Sequence, residues 1–102
     1  MSQRELEIQY EIRSFLEALG VAVYSLSQGR KTRQSAGLPD LWIMHPKIGG
    51  CWIEVKALHG KPSGAQIVFG DRCARSRVQH LLAHSLEPVR KLCVECGLIA
   101  QG

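Results

Sequence analysis

The chain has 102 residues, 45% hydrophobic and 22% charged, which is the size and composition of one globular domain and excludes a disordered or low-complexity chain. Thirteen lysines and arginines against nine acids leave a formal charge of +4, a balance that favours polyanionic partners, nucleic acid first among them. The polar segment Met1 to Gln9 lacks the apolar run of a secretory leader, and no stretch reaches the roughly 18 apolar residues of a membrane span. A cytoplasmic protein is expected, with Cys51, Cys73, Cys93 and Cys96 as reduced thiols.

The first predicted element is a helix over residues 3–19. Ser2 caps it, Glu5 stands three residues later as a capping box requires, and Ile8, Ile12, Phe15, Leu16 and Leu19 form one apolar stripe before Gly20 ends it. Residues 21–26 are β-rich and read as a strand. Residues 27–37 form a basic loop with Ala36 as its sole apolar member. Pro39 sets the entry to a strand from Asp40 to His45. A turn from Pro46 to Gly50 follows, where the Gly49-Gly50 pair suits a hairpin.

The next strand runs from Cys51 to Ala57. Alternation puts Cys51, Ile53 and Val55 on one face and Trp52, Glu54 and Lys56 on the other. Two opposite charges inside a strand that otherwise reads as buried are a local inconsistency, and such inconsistencies concentrate at functional sites. Ser63 then caps a helix over about residues 64–75, weakened by Gly64 and Gly70. Residues 78–83 read as a last strand. Ser85 caps a final helix with Pro88 in its first turn and Leu86, Val89, Cys93 and Cys96 on one face. The order is α-β-β-β-α-β-α, a mixed sheet with packed helices of the α/β or α+β class.

Asp40 opens one strand and Glu54 lies within its neighbour, 14 positions on. A short hairpin brings both carboxylates to one end of the sheet. Two convergent carboxylates suit a hard divalent cation, and the carbonyl of Val55 offers a third oxygen. Lys56, two residues after Glu54, lies on the same face, where an ammonium can hold a water or offset charge on a phosphate. Metal and ammonium together meet the needs of phosphodiester hydrolysis. The plain alternative, a surface ion pair between Glu54 and Lys56, leaves the Gly-x-Pro-Asp turn and the order of elements unexplained.

Taken as a set, Gly37-Leu38-Pro39-Asp40, Glu54-Val55-Lys56 and Ser63-Gly64-Ala65-Gln66 resemble the VRR-NUC family of the PD-(D/E)xK nuclease superfamily, nearly end to end. The resemblance implies a restriction-endonuclease-like core in a single domain over residues 1–102, of the stand-alone type found in phages and prophages and acting in a bacterial host cytoplasm. It implies a Mg²⁺- or Mn²⁺-dependent DNA endonuclease. Asp40 and Glu54 would be metal ligands beside the Val55 carbonyl, Lys56 the catalytic lysine, Gln66 a further catalytic side chain, and Ser63, in the same turn, a DNA contact. Stand-alone members are similar to Holliday junction resolvases and work as homodimers on branched DNA. A four-way junction is two-fold symmetric, so paired cuts also call for two symmetry-related sites. The superfamily often adds a Glu from the first helix. Of Glu5, Glu7 and Glu11, Glu5 falls closest to the apolar stripe at about 100° per residue, Glu11 lies at its edge and Glu7 faces solvent. Glu5 is therefore the expected contributor to the metal site, with a capping-box partner as its other reading. Arg75-Ser76-Arg77 departs from the family's glycine-containing turn after the second helix.

Arg30, Lys31 and Arg33, just ahead of the Asp40 strand, are candidate phosphate contacts. Arg72, Arg75 and Arg77 form a second basic group. Cys93 and Cys96 have zinc-like spacing with His80 and His84 upstream, but both cysteines fall on the apolar face of the last helix, which favours core packing. The competing functional class is a nucleic-acid-binding module that keeps a nuclease fold without cutting. The intact Asp40, Glu54 and Lys56 argue against it.

Overall fold

The computed structural model describes residues 2–26 and 36–101. Helix α1 (Gln3–Ala18) starts at Ser2, whose hydroxyl accepts the Glu5 N–H at 3.2 Å. Ile8, Ile12 and Leu16 are fully buried along it, the expected stripe at 3.6-residue spacing. Gly20 reverses the chain with φ +83°, a left-handed conformation that glycine adopts without side-chain cost. Strands β1 (Ala22–Ser25), β2 (Leu41–His45) and β3 (Gly49–Val55) form an antiparallel meander. Helix α2 (Gly64–Ser76) then crosses over to β4 (Gln79–Ala83), which lies parallel to β3, and helix α3 (Glu87–Glu95) follows. This is the element order expected from the sequence, in a four-stranded mixed sheet ordered β1-β2-β3-β4.

Alternation along the strands separates two layers. Leu41, Ile43, Cys51, Ile53, Val55 and Ala83 point into one buried cluster with Ile8, Ile12 and Leu16 of α1 and Val89, Leu92 and Cys93 of α3. The opposite face carries aromatic rings. Trp42 packs on Trp52 at 4.7 Å between centroids, Trp52 meets Phe69 of α2 edge-on at 5.4 Å, and Phe69 reaches His80 at 6.3 Å. Gly70 faces the same imidazole, and a Cβ there would meet it at 3.4 Å, an ordinary van der Waals contact.

Three local expectations change. The glycine pair is not the hairpin turn: the reversal is made by Pro46 to Ile48, closed by Ile48 N–H to His45 O at 2.9 Å, and both glycines lie within β3. Gly50 is needed there because a Cβ would strike the Trp42 ring. The last helix is capped at Leu86 and not Ser85; the Ser85 hydroxyl still accepts the Glu87 N–H at 3.3 Å. Arg77 takes the left-handed position after α2 with φ 60°, so the absence of glycine leaves the turn's geometry intact. No helix among the described residues is long and apolar enough to cross a membrane.

Candidate active site

At the C-terminal end of β3, four elements bring polar side chains together. Asp40 enters just before β2. Its carboxylate accepts the Val55 N–H at 2.8 Å and its carbonyl accepts the Leu26 N–H at 2.8 Å, so it is tied to β3 and to the end of β1 at once. Gly37, three residues earlier, has φ +88°, and a Cβ there would collide with the Ala65 carbonyl in the first turn of α2. The Gly-Leu-Pro-Asp segment therefore needs its glycine twice, for conformation and for close approach, and this packs the Asp40 turn against the start of α2.

Glu54 is 2% exposed and Asp40 7%. Glu54 Oε2 accepts the Gln66 Nε2 at 2.8 Å and lies 3.8 Å from Lys56 Nζ. Gln66 in turn belongs to a full capping box: Ser63 Oγ accepts the Gln66 N–H at 3.2 Å, and Gln66 Oε1 accepts the Ser63 N–H at 2.8 Å. Both ends of the Gln66 amide are thus used, one to start α2 and one to hold Glu54. Glu54 Oε1 is buried with no hydrogen-bond partner. Burial, then the charge of Asp40, raise the Glu54 pKa from its ordinary 4.5 to about 8. The charge of Lys56 opposes the rise and that of Glu5 adds to it.

An orphaned oxygen on a buried carboxylate, close to a second buried carboxylate, is the local signature of a place that suits a cation. No cluster of three or more His, Cys, Asp or Glu side chains arranged for a metal occurs among the described residues. The pair Asp40 and Glu54 is nevertheless the donor set Mg²⁺ takes, since that ion keeps several waters and binds through one or two carboxylates. The residues present fit a hard divalent cation.

The other expected residues separate clearly. Glu5 lies near enough for its charge to act on Glu54, while its carboxylate accepts the Ala57 N–H at 3.3 Å just past β3. Glu7 is exposed and pairs with Arg4 at 3.3 Å, and Glu11 is exposed. Val55 sits between the acidic and basic side chains with its N–H on Asp40. Ser63 is exposed and caps α2 through Gln66. Arg30, Lys31 and Arg33 lie outside the described residues. Cys93 is fully buried in the core and all four cysteines are free thiols. Burial, with the neighbouring sulfurs of Cys96 and Cys73, pushes the Cys51 thiol up to about 12, which makes it a poor nucleophile. Sequence reasoning misses His84 as a neighbour of this site, yet its Nδ1 is 3.0 Å from the Ala57 carbonyl, and no short motif flags such a side-chain-to-backbone bond.

A mixed sheet with helices on both faces, carrying paired carboxylates and a lysine at one strand end, defines a nuclease-fold domain. A solved structure described as "VRR_NUC domain" is similar to this chain with a TM-score of 0.75 and 26% identity, covering 92% of this chain and 97% of the other. The resemblance to the VRR-NUC family carried by the motifs therefore extends to the whole fold, and nuclease folds of this kind usually use divalent metals. No protein-family model and no curated protein matches the sequence.

Proposed function

We propose that this chain is a metal-dependent DNA endonuclease, one domain over residues 1–102, with Asp40, Glu54, Lys56 and Gln66 as its catalytic residues. The observation that carries the reading is the buried Glu54, with one oxygen unpartnered beside Asp40 and the other shared by Gln66 and Lys56. Such an arrangement costs stability and is hard to explain as structure alone.

Asp40, Glu54 and the Val55 carbonyl would hold Mg²⁺ or Mn²⁺, with Glu5 at the edge of the set; when bound, the ion supplies a more acidic water and charge neutralisation at the phosphate. The chain's own residues do the positioning. Gln66 fixes one oxygen of Glu54 and leaves the other turned inward. Lys56, 19% exposed at its side chain, presents an ammonium where negative charge grows on the scissile phosphate. Ser63 and the basic residues Arg30, Lys31 and Arg33 contact the DNA backbone.

The substrate class is branched DNA such as four-way junctions, cut by a homodimer in the cytoplasm. Incubating the purified protein with labelled four-way junction, flap and linear duplex, in Mg²⁺, Mn²⁺ or EDTA, tests this. Metal-dependent cutting, fastest on the junction, is expected. No cutting of any substrate would overturn the enzyme reading, and equal cutting of linear duplex would overturn the substrate class. Light scattering at micromolar concentration, with and without junction, is expected to report a dimer.

A further inference from the structure

We propose that His84 is a positioning residue for Lys56, acting through the backbone of Ala57. The inference rests on the reading of Lys56 as the catalytic ammonium. The β3–β4 ladder ends at the pair Val55 and Ala83, so Lys56 is the first residue past it. A lysine at a loose strand end spreads its ammonium over many positions, and a misplacement of about 1 Å costs on the order of a hundredfold in rate.

Here the strand end is held from several directions. Lys56 N–H donates to the Ala83 carbonyl at 3.0 Å. Ala57 N–H donates to Glu5 Oε2 of α1 at 3.3 Å. The Ala57 carbonyl accepts the Gly60 N–H at 2.8 Å and faces His84 Nδ1, just beyond β4, at 3.0 Å. A carbonyl can only accept, so Nδ1 carries the proton, and both lone pairs of the Ala57 oxygen are used. The turn is tight: a Cβ on Gly60 would stand 3.0 Å from the Ala57 carbonyl oxygen, and His59 takes a left-handed φ of 72°. A non-glycine residue in that conformation is tolerated where its surroundings fix it. Glu5 and His84 thus grip Ala57 at its N–H and its C=O, from α1 and from the end of β4, and so set the direction in which Lys56 leaves the strand. Trp52, Glu54 and the motif glutamine have no part in this grip.

The test compares His84→Ala, His84→Asn and His84→Gln in the full chain. The asparagine Nδ2–H stands where the histidine Nδ1–H stood; the glutamine amide reaches further, to the place of Nε2. Single-turnover cleavage of labelled DNA, DNA affinity in EDTA, and hydrogen exchange of the Ala57 and Gly60 amides are measured. His84→Ala and His84→Gln are expected to slow cleavage about tenfold or more with DNA affinity within about twofold, and to speed exchange at both amides about fivefold. His84→Asn is expected to return cleavage and exchange to within about threefold of the native chain. Native cleavage in His84→Ala overturns the proposal. So does His84→Asn that restores exchange yet stays slow, which assigns the work to Nε2, or His84→Gln that cleaves normally. If the native chain cuts no DNA, the Lys56 reading falls separately, and unchanged exchange in His84→Ala and His84→Gln overturns the grip itself.

Discussion

Replacing Glu54 by glutamine removes a carboxylate that the fold keeps protonated at neutral pH. In the unfolded chain this group titrates near 4.5, and in the fold near 8. Between those values the folded protein binds a proton that the unfolded chain has released, so the stability this provides is fully present below about 4.5 and is lost as pH rises through about 8. Each pH unit in the window withdraws about 1.4 kcal/mol, so the step from pH 5 to pH 7 removes roughly 2–3 kcal/mol, and the whole window at most about 5. For a domain of this size 1 kcal/mol moves Tm by about 4–8 °C, so the native chain in EDTA is expected to lose roughly 10–20 °C between pH 5 and pH 7 relative to Glu54→Gln. The glutamine keeps an oxygen for Gln66 and turns an N–H₂ toward Asp40, so the variant needs no proton and is the more stable protein at pH 8. Subtracting the two melting curves cancels other titrations. Adding Mn²⁺ at pH 8 is expected to raise the Tm of the native chain and leave the variant nearly unmoved. Parallel Tm–pH curves, or a native chain that gains on the variant as pH rises, would refute the reasoning, because Glu54 would then be ionised in the fold.

Three further outcomes are expected. Lys56→Ala should slow single-turnover cleavage by about 10²–10³ while DNA affinity changes little, since one positioned charge acts on the transition state and is a small share of the phosphate contacts. Gly37→Ala should cost about 2 kcal/mol or more in urea denaturation, because φ +88° is strained for alanine and its Cβ meets the Ala65 carbonyl. Replacing Arg30, Lys31 and Arg33 together by serine should weaken binding to all DNA sequences alike. It should also reduce the slope of log affinity against log salt by about 0.9 for each phosphate that is no longer neutralised, read by fluorescence anisotropy across a salt series.

Much of the fold was legible because the periodicities were clean. Ile8, Ile12 and Leu16 repeat as a helix must, and Cys51, Ile53 and Val55 alternate as a strand must, so element order followed directly. Boundaries and turns were less legible where packing overrode local chemistry. Gly49-Gly50 reads as a turn, yet Gly50 is glycine because the Trp42 ring lies over it, a cross-strand fact with no local trace. Arg77 adopts a left-handed φ that local preference assigns to glycine. At the site, the closeness of Glu54 and Lys56 follows from their spacing alone, and the buried placement of Asp40 beside them required the hairpin. The link from Gln66 to Glu54 was reachable only through the family resemblance, because it joins a helix cap to a strand twelve residues away in sequence. The partners of Glu5 and His84 are backbone atoms of Ala57, and a sequence pattern carries no mark of those.

The central claim is that the buried carboxylate pair acts with a divalent cation to cut DNA. Asp40→Asn tests it most directly, because an asparagine oxygen can still accept the Val55 N–H and keep the fold while removing the charge. The native chain is expected to cleave a labelled four-way junction in Mn²⁺, and Asp40→Asn to bind the same junction without cleaving it. Cleavage by Asp40→Asn at the native rate would contradict the claim.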